Sequence, residues 1–181
     1  MKQIVLKATG MSPVLLHSTG GMKVQVPGGV KRREIPTPEE EAEAGTYRDA
    51  DGDLCLPTTG FRAGALNAAS GLKVGKLTAR RALGAFFPLQ ELTKLLNPET
   101  DEIISEYEID IRPAVVGTAR IMRSRARVER WSVIIECEYD EGIIDEESIL
   151  DLLNRAGRLS GIGDYRVQCS GTFGRYTVKK V

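Results

Sequence analysis

Trp131-Ser-Val-Ile-Ile-Glu-Cys-Glu-Tyr139, followed after a short acidic turn by Asp145-Glu-Glu-Ser-Ile-Leu-Asp-Leu-Leu-Asn-Arg-Ala-Gly-Arg158, is the stretch that decides the fold. In its first half Val133, Ile135 and Cys137 alternate with Ile134, Glu136 and Glu138, the two-residue period of a strand. In its second half Ile149, Leu150, Leu152, Leu153 and Ala156 form a helical stripe behind Asp145, which is placed to cap the first turn, with Glu147 near a capping-box position. The chain then has to return to the sheet, and Phe173 to Val178 reads as the closing strand.

Working upstream, Lys2 to Thr9 reads as a first strand, with Ile4 and Leu6 opposite Val5 and both faces expected to be buried. Pro13 and the pair Gly20-Gly21 bracket a short apolar turn, Val14-Leu-Leu-His17, that carries the chain's one histidine. Met22 to Pro38 reads as a loop or a mobile hairpin. Thr37 as N-cap, Pro38 at the first position and the acids behind it predict a short helix. Asp51-Gly52 predicts a hairpin turn, and Leu54-Cys-Leu56 a strand stopped by Pro57. Helices are expected over Phe61 to Ala69, capped by Thr58 or Thr59, and over Leu77 to Phe87, ended by Pro88. Pro88 to Asp101 reads as irregular, with a helical turn over Leu89 to Leu96. Ile103 to Ile111 alternates acidic and apolar residues like a strand with one wet face, and Arg120 to Arg130 is read as extended, with Arg123, Arg125 and Arg127 on one side. This order predicts an α+β fold: a ferredoxin-like or RRM-like antiparallel sheet with helices on one face and an inserted hairpin or loop. We expect a single domain, 1–181, with insertions around 22–46 and 112–130.

With 181 residues and 41% hydrophobic content the chain can bury a real core, and no apolar run approaches a membrane span. No secretory leader is evident, so a cytoplasmic location is expected. Three scattered cysteines and one histidine argue against a disulfide framework or a zinc site, and no cofactor is implied. Asp49, Asp51 and Asp53 surround a glycine and read as a solvated turn more readily than a metal cage.

The net charge is zero, but it is segregated. Six arginines (112, 120, 123, 125, 127 and 130) lie between two acidic stretches. Such a block can track an anionic strand and pair with acidic faces of neighbouring copies, or it can be neutralised by ion pairs across a sheet. The tail from Gly161 to Tyr176 adds Gly161, Gly163, Gly171 and Gly174, which allow close backbone approach, flanked by Arg166 and Arg175. Arg62, near a helix start, adds a donor where the helix dipole favours an anion. Tyr165, Phe173, Tyr176 and Trp131 are candidates for base stacking, although Trp131 at the head of an apolar strand also reads as core. His17 is a candidate general base, with Arg175 or Lys23 to stabilise developing charge.

Three of these segments are similar to landmarks of the CRISPR-associated RAMP superfamily, the RRM-like repeat-associated proteins, and most of all to its backbone-forming subunits. Ser12 to Gly21 resembles the apolar-His-small-Gly element after that family's first strand. Leu54 to Leu66 resembles its strand-to-helix junction, with Thr58 in place of a glycine and Arg62 in place of a lysine. Gly161-Ile-Gly163 with Gly171-Thr-Phe-Gly174-Arg175 resembles its C-terminal glycine-rich loop. Small phage or prophage proteins of similar layout are a related comparison. The resemblance implies a non-enzymatic protein that binds single-stranded RNA, or DNA, through Arg62, Arg120, Arg123, Arg125, Arg127, Arg166, Arg175 and the glycine loop. It also implies self-association along the strand, with other ribonucleoprotein subunits as further partners. The alternatives are a metal-independent endoribonuclease using His17 and a phage-encoded protein-interaction or structural protein.

Overall fold

The computed structural model describes residues 1–19, 36–116 and 118–181. In chain order the elements are β1 (Lys2–Gly10), β2 (Val14–Leu16), α1 (Pro38–Ala44), β3 (Cys55–Pro57), α2 (Thr58–Ala68), β4 (Lys73–Val74), β5 (Leu77–Thr78), α3 (Ala79–Ala82), β6 (Phe86–Pro88), β7 (Leu92–Lys94), β8 (Glu108–Val116), β9 (Ala119–Val128), β10 (Ser132–Tyr139), α4 (Glu146–Leu159) and β11 (Tyr176–Lys180). The chain is α+β, and its strand pairings are antiparallel.

A four-stranded sheet of order β11-β1-β10-β6 forms the centre. β1 is one of its two inner strands, pairing Ile4 with Cys137 of β10 and Ala8 with Val178 of β11. Ile4, Leu6 and Ala8 are buried with Val133, Ile135 and Cys137, so β1 is buried on one face and not on both as its apolar composition suggests; Val5, on the other face, is 38% exposed. Helices α2 and α4 cover the buried face. They approach closely because α2 presents Gly64, where an added Cβ would already touch Ala156 and Ser160 at 3.6 Å, and Ser160 Oγ donates to the Gly64 carbonyl at 3.1 Å. Trp131, Tyr176 and Phe61 fill the space beneath, with edge-on ring contacts at 5.0 and 6.4 Å.

Beyond β6 the chain continues along the outer edge of β10. Leu89 N–H donates to the Glu136 carbonyl at 2.8 Å, the Gln90 side chain accepts from Glu136 N–H, and Leu96 and Ser132 exchange both main-chain bonds. Strand β7 on this segment then pairs outward with β3. A second sheet, β2-β9-β8, carries the long β8–β9 hairpin that fills the expected 112–130 insertion.

Asp145 caps α4 through Ser148 N–H at 2.7 Å and Thr37 caps α1, as their sequence positions predict, and Glu40 completes a capping box on α1. Other expectations are corrected. Helix α2 begins at Thr58 with Pro57 as its N-cap and no side-chain cap, because the Thr58 hydroxyl instead donates to the Gln90 carbonyl. The helix expected over 77–87 is broken into β5, the four-residue α3, a 3-10 turn at Leu83–Ala85 and strand β6, whose backbone pairs with β10. The Leu89–Leu96 stretch is sheet edge and not a helical turn. The strand expected at 103–111 is displaced to Glu108–Val116, and Val14–Leu16 is a strand where an apolar turn was expected. Of the loop expected over 22–38, residues 22–35 lie outside the described residues.

Candidate functional site

Strand β2 is the hinge of the site. One edge pairs with β9 through Leu16 and Ala126; on the other edge Leu15 accepts the Asp164 N–H at 2.9 Å. The segment after α4 is thereby brought beside the turn that follows the first strand, although about 150 residues separate them. The close approach requires glycine: at Gly163, with φ +78°, a Cβ would stand 2.5 Å from the Leu15 carbonyl oxygen. His17, just past β2, is pinned from the far side, because Ser18 N–H donates to the Gly45 carbonyl at 2.7 Å and the Tyr47 hydroxyl donates to the His17 carbonyl at 3.2 Å. Burial and the neighbouring Asp164 charge raise the Tyr47 pKa, which keeps that donor protonated.

Between these walls lies a cleft of about 270 Å³. Its floor is one face of α2, the small residues Gly60, Ala63 and Gly64, with Asn67 at the end; their i, i+3, i+4, i+7 spacing is a single helical stripe. Pro57 and Leu56 continue the floor into β3. One wall is Gly161 to Asp164 with Arg166 and Gln168, and His17 and Tyr47 form the end. Arg166 Nη1 donates to the Gly163 carbonyl at 3.1 Å and has no carboxylate partner among the described residues. The His17 imidazole is exposed and makes no hydrogen bond among them. A wider depression of about 450 Å³ lies elsewhere, between Met1, Leu77, Phe87 and Ile143, but its lining is mostly apolar with one arginine, Arg81, beside Asp140.

Of the residues expected to bind nucleic acid, the structure gathers Gly161, Gly163 and Arg166 in the cleft, together with His17, the candidate general base. The others lie elsewhere. Gly171 and Gly174 are packing positions: a Cβ on either would stand 1.7 Å from a main-chain oxygen, of Tyr165 and Ile162 respectively. Arg175 is exposed on the far side of that segment, with its main chain tied to Met11 and Ser12. Arg62 turns its guanidinium from the start of α2 toward the Phe86 and Leu83 carbonyls and covers the Phe87 ring at 5.3 Å. Lys23 lies outside the described residues.

The arginine block is not an open cationic face. Glu108 and Asp110 of β8 stand directly opposite Arg127 and Arg125 of β9. Arg123 pairs with Glu41 of α1 at 2.8 Å, Arg125 with Asp164, Arg127 with Glu129 and Glu108, Arg112 with Asp110, and Arg130 with Glu99. Arg125 is 4% exposed, beneath the Tyr165 ring at 5.0 Å. Arg120 alone of the six has no acidic partner among the described residues. It lies about 17 Å beyond Arg125 along β9, at roughly 3.4 Å per residue.

The aromatic candidates for stacking are likewise occupied. Trp131 and Tyr176 are core, and Phe173 is buried under the Arg112 guanidinium at 4.4 Å. Tyr165 lies against Arg125 and Arg112 and donates its hydroxyl to the Pro113 carbonyl. The open face of the central sheet offers no substitute. It carries Gln3, Val5, Lys7, Ile134, Glu136 and Glu138, with a single aromatic among the described residues, Phe87, which is 41% exposed and has the Arg62 guanidinium 5.3 Å from its ring centre.

Tyr47, Asn67, Asp164 and Gln168 complete the cleft without having been singled out for it in the sequence. Only the i, i+3, i+4, i+7 run of small residues ending at Asn67 signals a helix face kept open. The Asp49, Asp51 and Asp53 carboxylates lie within 4.8 Å of one another and close around Lys94 Nζ at 3.3, 3.1 and 2.7 Å. The amine supplies the positive charge that gathers them. Compared with known proteins, the chain matches no family model and no curated sequence.

Proposed function

We propose that this chain binds single-stranded nucleic acid, RNA in preference to DNA, without catalysis, in the cleft between α2, the His17 turn and the Gly161–Gln168 segment. The observation that carries this reading is convergence: the three segments that resemble RAMP landmarks, at 12–21, 54–66 and 161–175, each contribute lining residues to one cleft. We further propose that the fold is ferredoxin-like, in keeping with the run β1, α2, β6, β10, α4, β11 and the sheet order β11-β1-β10-β6.

The chemistry of the cleft suits a polynucleotide backbone. The N-terminal turn of α2 borders it without a side-chain cap; Thr58 N–H is taken by the Glu91 carbonyl, and the Thr59 and Gly60 N–H groups with the positive end of the helix dipole favour an anion. Arg166 supplies a guanidinium with no carboxylate partner among the described residues, the Asp164 carboxylate of the same wall being paired with Arg125. Self-association along the strand is supported by an apolar stripe on one face of the β8–β9 hairpin, where Ile109, Ile111 and Met122 are 39%, 50% and 61% exposed. A second reading, endoribonuclease action with His17 as base, is favoured by the placement of Arg166 and His17 in one cleft, where the sequence suggested Arg175 or Lys23. Under that reading His17→Ala abolishes cleavage and leaves binding intact.

The test is fluorescence anisotropy of a labelled single-stranded RNA over a range of salt concentrations. Single strands lose affinity with a slope of about −0.7 per phosphate neutralised, so a cleft whose lining has Arg166 as its one arginine gives about −0.7, where six free arginines would give about −4. Arg166→Ala weakens binding roughly tenfold. Absence of binding at low salt removes the proposal, and a slope near −4 returns it to the arginine block.

A further inference from the structure

The cleft has a feature that backbone binding does not require. Asn67, at the end of α2, and Gln168, in the 3-10 turn Val167–Cys169, come from opposite walls, and Asn67 Nδ2 donates to Gln168 Oε1 at 3.2 Å. Both side chains are exposed, so neither is buried to satisfy the core. With that bond made, Asn67 Oδ1 remains as an acceptor and Gln168 Nε2 as a donor. Amide N–H groups also donate to phosphates, which only accept, but an acceptor held together with a donor matches the edge of a nucleobase.

Size and surface agree. Pockets for drug-sized ligands run to roughly 300–1,000 Å³, so a cleft of about 270 Å³ holds one nucleotide of the bound strand, its base included. Its floor, Pro57, Gly60, Ala63 and Gly64, is low and mostly apolar, as the flat face of an unstacked ring needs, and Tyr47 is the aromatic among its lining residues. Resting on the nucleic-acid reading above, we propose that the cleft takes one unstacked base of the bound strand and that Asn67 and Gln168 read its edge in favour of adenine. Adenine offers an amino donor beside a ring-nitrogen acceptor, the combination that Asn and Gln amides pair with, on both its Watson–Crick and Hoogsteen edges and with a two-ring face for the floor, whereas cytosine and uracil offer a donor beside an acceptor only on the Watson–Crick edge of a single ring.

The experiment compares labelled oligo-A, oligo-U and oligo-C RNA of equal length by anisotropy, for the wild type and for Asn67→Ala/Gln168→Ala. Circular dichroism and thermal melting confirm that the variant is folded, which the exposure of both side chains leads us to expect. The wild type binds oligo-A roughly fivefold or more tightly than oligo-U and oligo-C, and the double variant retains binding but loses the difference. Equal wild-type affinity for the three strands, oligo-C as tight as oligo-A, or a preference that survives in the double variant overturns base reading while leaving strand binding in place. No binding to any strand by the wild type overturns the nucleic-acid reading itself.

Discussion

Arg125 illustrates how a cation conspicuous in the sequence can be withdrawn from the surface. Its Nε donates to Asp164, the Tyr165 ring covers it at 5.0 Å, and Nη1 is buried without a partner among the described residues. A buried guanidinium that has lost water is held by such contacts and is not exchanged for a phosphate. Glycine spacing misleads in the same way. Gly174 has φ +64° and would place a Cβ 1.7 Å from the Ile162 carbonyl oxygen, whereas Gly52, with φ +86°, has open space where a Cβ would go. Gly174→Ala therefore costs about 3 kcal/mol or more in urea denaturation, through collision and strain together, while Gly52→Ala costs about 1 kcal/mol from strain alone. Equal costs would show that the Gly174 contact relaxes freely.

At the scale of elements, α1 is fastened to the hairpin by Glu41, which accepts from Arg123 Nη1 and from Ser124 N–H, each at 2.8 Å. Burial pushes the Glu41 carboxyl up, but these donors outweigh it and the net pKa lies below the ordinary value of 4.5. A depressed folded-state pKa contributes stability above the unfolded value, and that contribution disappears as the pH falls through the folded value. Glu41→Gln should therefore cost about 1–2 kcal/mol at pH 7 and progressively less as the pH falls below 4.5, read from urea unfolding across that range. A gap that stays constant with pH would assign the effect to shape and not to charge.

The sequence made legible the elements whose burial follows their own periodicity. Strand β10 and helix α4 match their alternation and stripe, and the caps at Thr37 and Asp145 match their residue types. What it hid depends on partners distant in the chain. The 77–87 stretch has helical composition, yet its main-chain groups are claimed by β10, and Val14–Leu16 becomes a strand because β9 and Asp164 lie on either side of it. The site was legible in the same measure: His17, Gly161, Gly163 and Arg166 have residue types that suggest chemistry. Asn67, Tyr47 and Gln168 enter only through the packing that brings α2 to the C-terminal segment.

For the whole molecule, acids and bases are equal in number, so long-range attraction for a polyanion is weak and affinity has to arise in a shaped site. Self-association then falls to apolar contact. Met122→Glu, at the exposed end of the hairpin stripe, should leave binding to a short strand unchanged and abolish the assembly of several copies on a long one, as measured by light scattering of size-exclusion peaks. Undiminished assembly would move the contact elsewhere. The central claim is that the strand lies in the α2 cleft and not along β9. It is tested most directly by following main-chain amide NMR signals while single-stranded RNA is added. The account predicts that shifts concentrate at Gly60, Gly64, Asn67, Gly161, Gly163 and Gln168; shifts confined to 120–130, or none at saturating RNA, would contradict it.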